Sequence, residues 1–233
     1  MILNCNKPMQ SSSNLGGYTP NLANDEDIKT YWSARTADKG EWLQSDLGET
    51  STVHALQVNY ADEDADILGK RTDIYHPYIL YGSTDGRNWT VLADKSLNHT
   101  DVPHDYIEFP KPVRTRYLKL VNIHMANGRF AVSGLRAFGR GNGNMPDTVK
   151  CFVVLRGDSE RRNAWLKWQA SDDAVGYVIR SGIAPDKLYN STMVIERNEY
   201  YFRFMDADRS YCFQIEAFNE NGAGARTVPV KVD

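Results

Sequence analysis

Between residues 53 and 60 apolar and polar positions alternate, which places His54, Leu56, Val58 and Tyr60 on one face of an extended segment. A period of two is the mark of a half-buried strand. Shorter runs of the same character recur at 78–81, 89–92, 106–109, 116–123 and 135–138. Turn signals such as Ser83-Thr84-Asp85-Gly86 separate them, and Pro110 and Pro112 are expected to end the run that begins at Tyr106. No segment carries a convincing helical period. Strands at this spacing predict a sandwich.

Gly and Asn dominate 139–144 and Pro146 closes the run, so 140–146 reads as a linker between a domain at 1–139 and another at 147–233. Beyond it the style repeats without repeating the sequence. Strand-like runs fall at 149–155, 164–168, 176–180, 200–204, 211–218 and 227–232, with turns at Gly157-Asp158, Ser171-Asp172 and Asn221-Gly222. This is close to the seven short strands of an immunoglobulin-like sandwich.

Composition agrees with this picture and excludes several functions. A chain of 233 residues suits two domains, and 11% aromatic residues favour pleated, half-buried surfaces. A net charge of -3 leaves no electrostatic footprint for nucleic acid. Three scattered cysteines, Cys5, Cys151 and Cys212, cannot all pair within one chain and are expected to be buried free thiols. No apolar stretch is long enough for a membrane span. Residues 1–5 lack the basic and apolar regions of a signal peptide, so the chain is expected to be a piece of something longer. No nucleophile elbow, phosphate loop or zinc motif is present, and catalysis is not expected. Asp62, Glu63, Asp64 and Asp66 crowd one polar loop. Glycosidases hold two carboxylates about 5–10 Å apart on fixed elements, so this cluster reads as a solvated face. Trp32, Trp42, Trp89, Trp168 and Tyr211 sit in strand-like contexts and are expected to be core.

Several segments, in order, carry a resemblance. Ala23-Asn24-Asp25 through Thr30-Tyr31-Trp32-Ser33, then Glu41-Trp42-Leu43-Gln44-Ser45-Asp46-Leu47-Gly48, then Tyr81 to Trp89, Arg116-Tyr117-Leu118-Lys119-Leu120 and Leu135-Arg136-Ala137-Phe138-Gly139 resemble the discoidin, or coagulation factor 5/8 type C, family, which includes family 32 carbohydrate-binding modules. Residues 147–233 resemble a fibronectin type III domain, with Trp168, Tyr177 and Tyr211 at that family's buried Trp, strand Tyr and tyrosine corner. The tandem, together with Thr100-Asp101-Val102-Pro103-His104-Asp105-Tyr106 and Gly182-Ile183-Ala184-Pro185, is similar to the C-terminal region of bacterial family 43 glycoside hydrolases of the xylosidase and arabinosidase type.

The resemblance implies an all-β chain, a discoidin-like jelly-roll β-sandwich followed by an immunoglobulin-like (fibronectin type III) β-sandwich. It implies a non-catalytic accessory region of an exported enzyme, in the periplasm or at the cell surface. Its partner would be a plant cell-wall or host glycan, or an upstream glycoside hydrolase domain on which both sandwiches pack as scaffold. Sugar would sit among the loops at one end of the first sandwich, and the residues there suited to it are Tyr75, His76, His104, Tyr106, His124, Asn127, Arg129 and Phe130. A structural calcium would be held by Asp25, Thr30 and carbonyls near Leu22, Asp27 and Ser133. The family's acidic ligand near the last strand falls on Gly134, which removes one carboxylate.

Overall fold

The computed structural model describes residues 1–64, 74–125, 128–195 and 197–233. The chain divides into two compact units, Met1–Asn142 and Gly143–Asp233. Among the described residues, no helix is long and apolar enough to cross a membrane.

The first unit contains β1 (Met9–Ser11), β2 (Trp32–Ser33), β3 (Trp42–Tyr60), β4 (Tyr78–Ser83), β5 (Thr90–Asp94), β6 (His104–Asn122) and β7 (Ala131–Arg140). All pairings are antiparallel in the order β2-β7-β3-β6-β4-β5, and β1 adds to the first part of β3. β3 and β6 form one long ribbon, with Trp42 opposite Val121 at one end and Asn59 opposite His104 at the other. A straight ribbon of this length would span about 60 Å. Yet Tyr60, at the end of β3, has its ring 6.4 Å from that of Tyr78, which pairs with Asn122 beside the start of β3. The ribbon therefore folds back on itself at the register breaks between Asp46 and Ser51 and between Val53 and Ala55. Its first half joins β1, β4 and β5 in one layer; its second half joins β7 and β2 in the other.

This bend corrects two expectations. Val53, Ala55 and Leu56 are buried while His54 is exposed, because the bulge shifts the alternation by one residue. Pro110 and Pro112 do not end a strand; they lie in β6 between Glu108, opposite Ala55, and Val113, opposite Val53, where the ladder is already interrupted. A proline has no N–H to give, so an unpaired stretch is where a strand can hold one.

Between the layers lies one core, in which Leu43, Leu80, Leu118 and Leu120 meet Leu56, Val58, Val132 and Leu135. Trp32 is fully buried there. Trp42 and Trp89 are only half-buried, with the Lys119 ammonium 5.0 Å and 3.8 Å from their ring centroids. Desolvation lowers the Lys119 pKa.

Arg140, expected to open the linker, is the last residue of β7 and pairs with Thr52. The second unit contains β8 (Val153–Arg156), β9 (Ala164–Lys167), β10 (Gly176–Gly182), β11 (Asn190–Ile195), β12 (Glu199–Phe202), β13 (Tyr211–Asn219), β14 (Gly222–Ala223) and β15 (Val230–Val232). One sheet runs β11-β10-β13-β14 with β15 also on β13, and the other runs β12-β9-β8. The two enclose a core of Trp168, Tyr177, Ile179, Phe213 and Ile215. The Tyr211 hydroxyl accepts from the Asp206 N–H at 2.9 Å. Of the thiols, Cys212 is buried and Cys5 half-buried; Cys151, against expectation, is exposed, in a loop where its own backbone adopts a positive φ of 53°.

Candidate functional site

The folded ribbon brings four connections to one end of the first unit. The end of β3 meets the approach to β6 through Tyr60 N–H to Pro103 O at 2.9 Å, and Ala61 N–H donates to Ala131 O, at the start of β7, at 3.1 Å. Ile123 N–H, just past β6, donates to Pro77 O, just before β4, at 3.1 Å. The buried Asn122 amide donates to Ala37 O and Asp38 O, at 2.9 and 3.0 Å, and so fixes the loop before β3.

On this frame Tyr75 and His124, from different connections, stack face to face with ring centroids 4.4 Å apart at 18°. His99 meets the Tyr75 ring edge-on at 5.3 Å. Its backbone is set by Asn98, whose amide donates to His76 O at 3.1 Å and whose carbonyl oxygen accepts from the Thr100 hydroxyl at 2.7 Å. Tyr75 and His124 are half-buried and His99 is exposed. His124 Nε2 is buried with no partner among the described residues. His99 is not among the residues the sequence singled out; the Asn98-His99-Thr100 turn was the available signal.

His76 is packed on Tyr60 at 4.5 Å and only 9% exposed. Desolvation lowers its pKa, and its Nδ1 accepts from Val102 N–H at 3.2 Å, so the neutral imidazole is a support for the loop rather than a contact surface. Phe130 is fully buried, edge-on to Trp32 at 5.2 Å, and corrects the expectation of an open sugar platform. Arg129 is drawn inward, bonded to Arg35 O and 3.3 Å from Asp64. His104 and Tyr106 stand elsewhere, on the outer face of β6, with His104 Nδ1 3.1 Å from Asn59 Oδ1 and Tyr106 beside Phe138. Asn127 and Asp66 lie outside the described residues. Glu63 is bonded to the Tyr31 hydroxyl, so that carboxylate is part of the loop's own structure.

Around Gly134 the expected calcium shell is one carboxylate short, and calcium takes six to eight oxygens. Asp25 accepts from the Thr30 hydroxyl at 2.8 Å and from Asp27 N–H at 3.0 Å; Asp27 caps Lys29 N–H; the Ser133 hydroxyl bonds Tyr60 O. Leu22 belongs to the 3-10 turn Pro20–Ala23. A Cβ at Gly134 would meet Asn59 Nδ2 at 2.8 Å and Arg136 Nη1 at 3.3 Å, so donors, one of them cationic, occupy the position of the expected carboxylate. The Arg136 guanidinium is itself held by Glu26 at 2.8 Å. Among the described residues, no cluster of His, Cys, Asp and Glu could hold a metal. Melting curves in millimolar calcium and in excess chelator are expected to coincide; a rise of several degrees with calcium would overturn this reading.

The comparisons with known proteins bear on the same unit. The sequence profile of the F5/8 type C domain matches residues 8–136, more than half of the chain. The chain belongs to the F5/8 type C domain family. Among solved structures, this F5/8 type C chain is similar to chitosan-binding module 1 of a chitosanase/glucanase from Paenibacillus sp. IK-5, at 21% identity over 60% of this chain and 99% of that one, with a TM-score of 0.50. Module 2 of the same enzyme, solved in complex with chitotriose, matches at 21% identity over 59% and 99%, with a TM-score of 0.49. No curated protein matches the chain.

Proposed function

We propose that the F5/8 type C unit is a carbohydrate-binding module whose ligand lies over Tyr75, His99 and His124. The chain would then be a non-catalytic accessory region of an exported bacterial glycoside hydrolase of the family 43 type, with a fibronectin type III domain as its second unit. The observation that carries the binding reading is the three-ring wall at the loop end. A flat ring face covers the apolar face of a pyranose, while the exposed His99 imidazole beside it bonds hydroxyls, on a scaffold formed before the ligand arrives. The chitosan-binding module that shares the fold makes chitosan oligosaccharides the first probe. For the second unit, support comes from the tyrosine corner at Tyr211 and from Trp168 packed on Tyr177 at 5.1 Å.

The test is a glycan array followed by titration calorimetry on the best hit. Tyr75→Ala and His124→Ala are expected to weaken binding about tenfold or more, ~1.4 kcal/mol. Tyr106→Ala, on the outer face of β6, should leave it unchanged. A blank array on folded protein would move these loops to a scaffold role against a catalytic domain.

A further inference from the structure

The outer face of the β12-β9-β8 sheet carries an aromatic strip that strand periodicity alone does not reveal. Ala164 and Leu166 of β9 point into the core, which turns Trp165 and Lys167 outward. Phe202 of β12 packs on Phe213 inside, which turns Tyr201 outward. The register then aligns Leu155, Trp165 and Tyr201 in one row across the three strands. The Trp165 and Tyr201 rings lie 4.6 Å apart at 40°. Leu155 is 58% exposed and Trp165 45%. Neither contributes to the core, which the inner face already supplies.

Cations flank the strip. The Arg203 guanidinium lies 5.0 Å from the Tyr201 centroid, and the Lys167 ammonium 5.8 Å from that of Trp165. Among the described residues, no carboxylate pairs with Arg203, and Lys167 meets Glu199 only across 3.7 Å at the surface. Beside the row is an open hollow of about 740 Å³, whose lining includes Trp165, Arg197, Glu199, Tyr201, Arg203 and Phe204. Phe204 is the unusual member. It is 92% exposed and its φ is +67°. A bulky side chain in the left-handed region is strained, and an apolar ring in water gains nothing in return. Its neighbour Met205 is buried and bonded through N–H to Arg162 O at 2.9 Å, so the backbone holds Phe204 outward.

We propose that this face is a second ligand platform, for a polysaccharide bearing carboxylates. Pyranose faces stack on Trp165 and Tyr201, and the uronate groups meet Arg203 and Arg197. The face is open, which suits a polymer lying across the strands, and Arg203, with no carboxylate partner among the described residues, selects an acidic one. Single-stranded nucleic acid also combines stacking with cations, so DNA is one arm of the test.

The experiment is affinity electrophoresis of the full chain in gels containing polygalacturonate, alginate, fully methyl-esterified pectin or single-stranded DNA. Retardation by at least one acidic polysaccharide is expected, falling about tenfold or more in apparent affinity with Trp165→Ala and with Arg203→Ala, and absent on the esterified polymer. Tyr75→Ala should leave it intact, which separates this platform from the loop site of the first unit. Phe204→Gly should weaken retention without lowering the melting temperature, because glycine relieves the left-handed backbone. No retardation by either acidic polymer, retardation insensitive to Trp165→Ala, or a preference for DNA would overturn the proposal.

Discussion

Phe130→Ala is expected to destabilise the first unit by about 3–5 kcal/mol, read from the shift of its denaturant midpoint. The ring is fully buried, edge-on to Trp32 and 6.2 Å from Tyr60. The backbone on both sides is pinned, with Phe130 N–H donating to Thr36 O and Ala34 N–H donating to Phe130 O, so the cavity has little freedom to collapse. Phe130→Leu fills more of the space and should cost less. It should also leave glycan affinity untouched, since the ring reaches no solvent. A Leu variant of nearly unchanged midpoint that lost binding would place the ring in the ligand site instead.

Asn4→Ala should cost about 2–6 kcal/mol, at ~1–3 kcal/mol for each buried group stranded. The Asn4 side chain is fully buried and works as a rung of the sheet beside β7: its amide donates to Leu135 O at 2.6 Å and its carbonyl oxygen accepts from Ala137 N–H at 2.9 Å. Alanine leaves both β7 groups unpaired in the core. Asn4→Asp keeps the acceptor for Ala137 but turns an oxygen toward the Leu135 carbonyl, so it should fare no better. A loss below about 1 kcal/mol in either variant would mean that water reaches these groups.

The all-β architecture was legible because a period of two survives in most strands. It failed where pairing geometry overrides local pattern. His54 was grouped on one face with Leu56, Val58 and Tyr60 because a bulge leaves no mark in the residues that flank it. β11 went unread: its burial alternates poorly, with only Val194 buried, and it opens on the polar Asn190-Ser191-Thr192. Edge strands often lack the alternation that betrays a half-buried one.

At the loop end, aromatic and imidazole residues could be recognised as ligand chemistry, but not sorted. Phe130 and Tyr75 look alike in sequence; only packing against Trp32 makes one core and leaves the other half-exposed. His104 and Tyr106 are close in sequence to His99, yet β6 carries them to a different face. In the second unit no ligand-binding residue was singled out from the sequence. The row of Leu155, Trp165 and Tyr201 exists only through cross-strand register, which couples residues too far apart for any window to join.

The ribbon that runs through both layers of the first unit also constrains how that unit folds. Its rungs join residues as distant as Trp42 and Val121, so closing them requires most of the intervening chain to be gathered first. Contacts of such long sequence separation make for slow folding. Because each layer borrows half of the same two strands, neither can melt and leave the other whole. Hydrogen exchange should therefore find the amides at both ends of the ribbon opening together, as a single cooperative block.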